Sequence, residues 1–361
     1  MKIAIRNYNG ILDTFIEYIK SKGEFEENYH NADILVTWQD VRGEEKELVE
    51  IFKNRLNKPV VVVEHGRGAT RDYCIPNNFP LLADKICVWG QKSINRLLKA
   101  KLDKNRVELT GCPLLKRVKK RNKKDFINVL FCPVISTKEE PENILVYAAL
   151  KKWESSKLIS NIYDNFDAMK RGWATKEFVW KDIVHPDGKI EKKLWSEDIV
   201  PRIPRSITYK KGFVHVKNTP IHDTQQYLAP VIMSPQNDIE PVLNLLVDID
   251  LVVCLEESTL PLLATAMSIP VVVCDIFQWK EYGGCKDYDK IEQIYSPSSF
   301  RCDLISLGKT ISRALEKGES LELGRISTIE EEMGGDLALS ADQNIYEVVK
   351  SLIPEKQLIT A

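Results

Sequence analysis

Residues 248–275 read DIDLVVCLEESTLPLLATAMSIPVVVCD. Leu251 to Leu255 form an apolar, β-branched run of strand length, Glu256 to Thr259 make a polar turn, and Leu260 to Met267 continue as an apolar helix. Ile269 and Pro270 then lead into a second strand, Val271 to Cys274. Neither strand alternates polar with apolar residues, so both faces of the sheet are covered, as in parallel α/β sheets. At the turn, Ser258 or Thr259 caps the helix, and the free N–H groups of its first turn suit a phosphate. An ordinary N-cap explains the same residues without a ligand.

The alternation continues outward in both directions. Upstream lie the strand "NVLFCPVIST", the helix "PENILVYAALKKW", the strands "GFVHVKN" and "APVIMSP", and the helix "IEPVLNLLVDI"; downstream, helical segments fall near 303–316 and 341–353. Residues 155–212, with Trp173, Trp180, Trp195 and the turn "HPDGK", break the pattern and read as an insertion with hairpin character. The first 120 residues alternate in the same way: "KIAI", "ILDTFIEYIKSK", "ADILVTW", "EEKELVEIFKNRL", "PVVVVEHG", "DKICVWG", "QKSINRLLKAKL" and "NRVELTG". The expected fold is α/β, two Rossmann-like parallel-sheet domains over 1–120 and 121–361. Ligands in such sheets sit outside the carboxyl ends of the strands. That singles out 7–10, 38–40, 64–68, 89–91 and 110–113.

Length and charge agree with two lobes of ordinary size. The 361 residues carry 51 Lys and Arg against 52 Asp and Glu, so no overall basic field exists for nucleic acid or anionic lipid. The basic run "KRVKKRNKKD" at 116–125 is local and reads as a solvated connector or as a groove for an anionic acceptor. Eight scattered cysteines form no metal-ligand spacing, which predicts reduced thiols and no metal site. The opening residues lack a leader pattern and no apolar run reaches the roughly 20 residues of a membrane span, so a cytoplasmic protein is expected.

The ordered motifs resemble one superfamily. "EST", "ATAM" and "SIPVVV" look like the nucleotide-binding half of GT-B glycosyltransferases, and "VVVEHGRG", "LADKICVWGQKSINRLL" and "KNRVELTGCPLLKRV" look like the first domain of the branch containing CDP-glycerol glycerophosphotransferases and surface-polysaccharide transferases. UDP-N-acetylglucosamine 2-epimerases are relatives of that branch. The resemblance covers about 60–118 and 238–350, and implies two domains facing across a cleft.

The resemblance implies roles. His65 would be the general base, its imidazole titrating near neutral pH, although a packed strand-end histidine reads the same way. Asp72 would orient the acceptor or the histidine, or is a solvent-facing turn residue. Gly10, Gly66 and Gly68 would allow close backbone approach. On the donor side, Lys217, His222, Glu257, Ser258 and Thr259 would hold the nucleotide, with Lys217 and His222 stabilising charge that develops on the diphosphate. His215 shares a strand face with Lys217. The loop 275–287, with Gly283 and Gly284, reads as a cover for the base or as plain surface.

The pattern also departs from the family. The ribose-holding glutamate of many GT-B enzymes falls at Thr265, and Glu64 precedes His65 where epimerases carry a glutamate after their histidine. Transfer of a sugar or glycerol-phosphate-like group from a nucleotide-diphosphate donor to a small or polymeric hydroxyl acceptor is therefore expected, inverting, with no cofactor and no metal. Cations and helix N-termini neutralise phosphate without one. A UDP-sugar 2-epimerase and a non-catalytic nucleotide-binding scaffold are the competing readings. The 116–124 cluster suits a peripheral membrane or other anionic surface, a nucleic acid acceptor included.

Overall fold

The computed structural model describes residues 1–7, 10–41, 43–67, 82–121, 129–132, 146, 149–150, 179–184, 190–195, 214–216, 239–255, 259–274, 298–317 and 322–354. Asp72, Gly68, Lys217, His222, Glu257 and Ser258 lie outside the described residues, as do the "APVIMSP" run and the 275–287 loop.

The first sheet contains β1 (Ile3–Arg6), β2 (Ile34–Thr37), β3 (Val60–Val63), β4 (Lys85–Val88) and β5 (Val107–Leu109), all parallel and in sequence order. The helices are α1 (Asp13–Ser21), α2 (Gly43–Glu50), which opens into a π-helical turn at Ile51–Arg55, and α3 (Gln91–Lys99). Side chains alternate between two cores. Ile3, Ile34, Val36, Val61 and Val63 pack with Phe15 and Ile19 of α1, while Ala4, Leu35, Val60, Val62 and Ile86 pack with Val49, Phe52 and Leu97. Thus α1 and α2 cover opposite faces although β1, β2 and β3 are consecutive neighbours.

Right-handed crossovers permit this only if the chain reverses direction. It does so at Phe25, which bridges Ile3 in parallel on the edge of β1 away from β2. Connections therefore diverge between the carboxyl ends of β1 and β2, where open α/β sheets form their ligand crevice.

The second half begins with β6 (Val129–Cys132). An antiparallel hairpin follows, β7 (Val179–Val184) with β8 (Ile190–Trp195), inside the expected insertion. The second sheet adds β9 (Val214–Val216), β10 (Leu251–Cys254), β11 (Val271–Cys274) and β12 (Ser299–Cys302) in the order β12-β11-β10-β6-β9, again all parallel. Its connections diverge on either side of β6, beside the carboxyl end of β10. The helices are α4 (Ile239–Leu246), α5 (Thr259–Ala266), α6 (Leu307–Lys317), α7 (Glu322–Met333) and, after the 3-10 turn Gly335–Ser340, α8 (Ala341–Ser351). Residues Leu260 to Thr265 of α5 are all buried, as a helix apolar on every side must be. Pro261 falls in its first turn, where the N–H groups lack intrahelical acceptors anyway.

The chain's end returns to its beginning. Ile345, Val349 and Ile353, on and just after α8, join the first sheet's core beside Phe15 and Ile19. The crossing is a backbone-on-backbone wedge made by glycines. A Cβ on Gly90 would stand 2.2 Å from the Glu331 carbonyl oxygen, one on Gly111 2.6 Å from Ala338 Cα, and one on Gly334 2.6 Å from the Trp89 carbonyl oxygen. Cys112 N–H donates to the Met333 carbonyl at 2.9 Å within this contact.

The basic run beginning at 116 straps the halves together. Lys116 meets Asp342 at 3.0 Å, Arg117 meets Asp13 at 3.3 Å and Glu240 at 2.9 Å, and Arg121 meets Asp250 at 2.7 Å; Lys119 also pairs with Glu240. Four of its cations thus face carboxylates of the same chain. Among the described residues, no helix is long and apolar enough to cross a membrane, and no group of three or more His, Cys, Asp or Glu is placed to hold a metal ion. Cys87, Cys112, Cys132, Cys254, Cys274 and Cys302 are buried free thiols, and burial pushes Cys87 and Cys112 well above the usual thiol range.

Candidate functional site

Strand β3 is four buried valines with no polar face, so it lies inside the sheet and delivers Glu64 to Arg67 at the carboxyl edge. Glu64 turns inward. It accepts from the Trp89 backbone N–H at 2.8 Å and from the Ser93 hydroxyl at 2.8 Å, which ties the turn to the start of α3. Burial pushes its carboxyl up to about 7, against the pull of those two donors and of Arg96. The residue preceding the histidine is therefore a structural anchor.

His65 is half-buried, with Nδ1 3.1 Å from the Trp38 carbonyl oxygen and its ring edge-on to the Trp38 indole at 4.7 Å between centroids. A carbonyl only accepts, so Nδ1 carries the proton in the neutral ring and Nε2 is the basic nitrogen. Trp38 follows β2, at the edge where connections diverge.

Gly66 and Arg67 reach the second half. The Arg67 N–H donates to Thr259 Oγ1 at 3.0 Å, and a Cβ on Gly66 would lie 2.8 Å from that same oxygen. What approaches the Gly66 backbone is thus Thr259, at the start of α5. The Arg67 guanidinium lies 3.0 Å from Glu332 of α7, their side chains only 1% and 2% exposed. Lys92 and Arg96 of α3 reach the same carboxylate at 3.4 and 3.5 Å. Burial alone would raise Glu332, but Arg67, Arg96 and Lys92 outweigh it and hold the carboxyl below its usual range.

Of the predicted site residues, the structure brings His65, Gly66 and Thr259 together. Gly10 is elsewhere occupied: at φ +72°, its carbonyl accepts from Arg117 at 2.6 Å. Thr265, where the resemblance would place a ribose-holding glutamate, is buried and its hydroxyl donates back to the Pro261 carbonyl at 3.0 Å. Asp-x-Asp triplets, which hold a metal in nucleotide-sugar transferases of a different fold, occur at 248–250 and 287–289. The first lies at the amino end of β10, with Asp250 paired to Arg121, away from the ligand edge; the second is outside the described residues. Sequence reasoning singled out Trp38 and Arg67 only by their place in 38–40 and 64–68, without a role, and missed Arg96 and Glu332. The one local signal was Arg67, a cation between two glycines after a buried strand.

No family model and no curated protein matches the chain. Among solved structures it resembles the wall teichoic acid polymerase TagF over 99% of this chain and 90% of that one, with 11% identity and a TM-score of 0.53. The fold is GT-B. Other GT-B likenesses are to the UDP-GlcNAc 2-epimerase of Neisseria meningitidis bound to UDP-GlcNAc (11% identity, 94% of this chain, 80% of that one, TM-score 0.47) and to HepE of Anabaena in complex with UDP-glucose (10%, 97%, 99%, 0.47). At these identities the comparison establishes the GT-B architecture and leaves the chemistry to the residues.

Proposed function

We propose that the chain is a GT-B transferase that moves a sugar or glycerol-phosphate-like group from a nucleotide-diphosphate donor to a hydroxyl acceptor. The single observation that supports it is the 3.0 Å hydrogen bond from Arg67 N–H to Thr259 Oγ1, which sets the histidine-bearing turn of the first sheet against the start of α5 in the second. The base side and the donor side of the reaction are then neighbours. His65 Nε2 takes the acceptor's proton as its oxygen attacks either the transferred sugar carbon, expelling the nucleoside diphosphate, or the transferred phosphorus, expelling the nucleoside monophosphate; in each case the leaving group departs with the bonding electron pair. Single displacement inverts the reacting centre. Charge on the leaving group is met by Lys217, His222 and the N-terminus of α5, with Ser258 and Glu257 completing the donor side. Asp72 orients the acceptor. TagF, with its teichoic acid polymer, favours a polymeric hydroxyl as acceptor.

Titration calorimetry with UDP, CDP and GDP, followed by donor turnover in wild type and His65→Ala, tests this. The expected result is nucleotide binding within twofold in both proteins and loss of turnover by about 100-fold in the variant. Binding without turnover by any donor and acceptor in the wild type makes the protein a scaffold. Exchange of solvent deuterium into sugar C2 makes it an epimerase.

A further inference from the structure

The turn that carries His65 is fixed from the far end of the sequence. Arg67, two residues past the histidine, ends on Glu332 of α7, 265 positions later, in a pair almost wholly out of water. Glu332 also gathers Lys92 and Arg96 of α3, the helix whose Ser93 holds Glu64 on the other flank of the histidine. Its own place is dictated by the glycine wedge, where Gly90 admits the backbone of Glu331 and Glu332 to a distance that no side chain allows. An exposed pair of this kind would contribute little. Loss of a buried Glu332 leaves the buried guanidinium groups of Arg67 and Arg96 without their carboxylate, so the turn cannot relax without a large cost.

We propose that Glu332 is a positioning residue for His65: through Arg67 it holds the 64–67 turn so that the imidazole stays on the Trp38 carbonyl with Nε2 as its basic nitrogen. The inference rests on the reading of His65 as the base, but its geometry can be read without any turnover. Reaction geometry is sensitive to displacements of about 1 Å, so release of the turn is read in kcat as well as in the tautomer.

The test uses Glu332→Gln, the double variant Arg67→Met with Glu332→Gln, which removes both charges of the pair, and Arg67→Lys as the conservative change. Nitrogen-15 spectra of the histidine rings, with the His65 signal identified by His65→Gln, report the tautomer directly, and only five histidines are present. In wild type His65 is expected to give one Nδ1–H tautomer. In Glu332→Gln and in the double variant that signal is expected to move toward averaged tautomers, with kcat down about tenfold or more and donor Kd within twofold. Arg67→Lys should recover part of both. Recovery of kcat in step with melting temperature in the double variant, or an unchanged His65 signal in both variants, overturns the proposal. A wild type that shows the single tautomer but no turnover refutes the transferase reading, and the spectra of the variants still decide the positioning role.

Discussion

Glu64 and Glu332 are buried carboxyls around one turn, yet they titrate in opposite directions. Glu64 is pushed up from 4.5 to about 7, so the folded chain holds its proton more tightly than the unfolded chain does. Between those two values the native state binds more protons, and stability falls as pH rises through that window, by about 3 kcal/mol in all. Glu332 is held below 4.5, so its contribution is present above that value and is lost only as pH falls through its lowered pKa. The two windows do not overlap. A glutamine at position 64 can accept from Trp89 N–H and donate to Ser93 Oγ, keeping both contacts without the charge. Glu64→Gln is therefore expected to match wild-type stability near pH 5 within about 0.5 kcal/mol and to exceed it by about 2–3 kcal/mol at pH 8, as urea unfolding at the two pH values will show. An equal or lower stability at pH 8 would mean that Arg96 makes the ionised form the favoured one.

At the scale of elements, the junction between the halves is built by glycines more than by apolar area alone. Gly90→Ala places a methyl carbon 2.2 Å from a backbone oxygen that cannot rotate away, so the end of α7 must move. The expected cost is about 3 kcal/mol, read from the urea midpoint, against about 1 kcal/mol for Gly23→Ala read in the same way, where the added methyl meets no neighbour and only the strain of its left-handed φ of +67° remains. These contacts also explain what was legible in the sequence. Val60 to Val63 and Val271 to Cys274 announce parallel strands because their burial needs no partner's identity, only an unbroken apolar run. The "VWG" and "LTG" glycines were visible too, as parts of a resemblance, but their physical work is to admit 331–338. The Phe25 bridge was not legible, since a single edge residue has no period to detect. Glu332 was hidden for another reason: nothing near it in sequence marks it as the partner of an arginine in the first domain. The basic run at 116–125 read as solvated because its acids, Asp13, Glu240, Asp250 and Asp342, are all distant in sequence.

For the whole molecule, α8 is the element whose removal has a counterintuitive result. Its apolar residues Ile345 and Val349, with Ile353, belong to the core of the first sheet. A chain ended at residue 340 is expected to lose amide protection in β1, β2 and β3, at the opposite end of the sequence, by at least 100-fold, while β10 and β11 keep theirs within tenfold. Hydrogen exchange resolved by peptide checks this. Uniform loss across both sheets would show the halves to be one cooperative unit. The same return of α8 has a consequence in time. The first strands leave the ribosome early, but the patch around Ile3, Ile34, Phe15 and Ile19 lacks the cover of Ile345, Val349 and Ile353 until residues near 350 have been made. At about 5–20 residues per second, that leaves an open apolar face for tens of seconds on every nascent chain. Synthesis of this protein thus carries a period of aggregation risk set by topology, and holding chaperones have a defined surface and a defined interval in which to act.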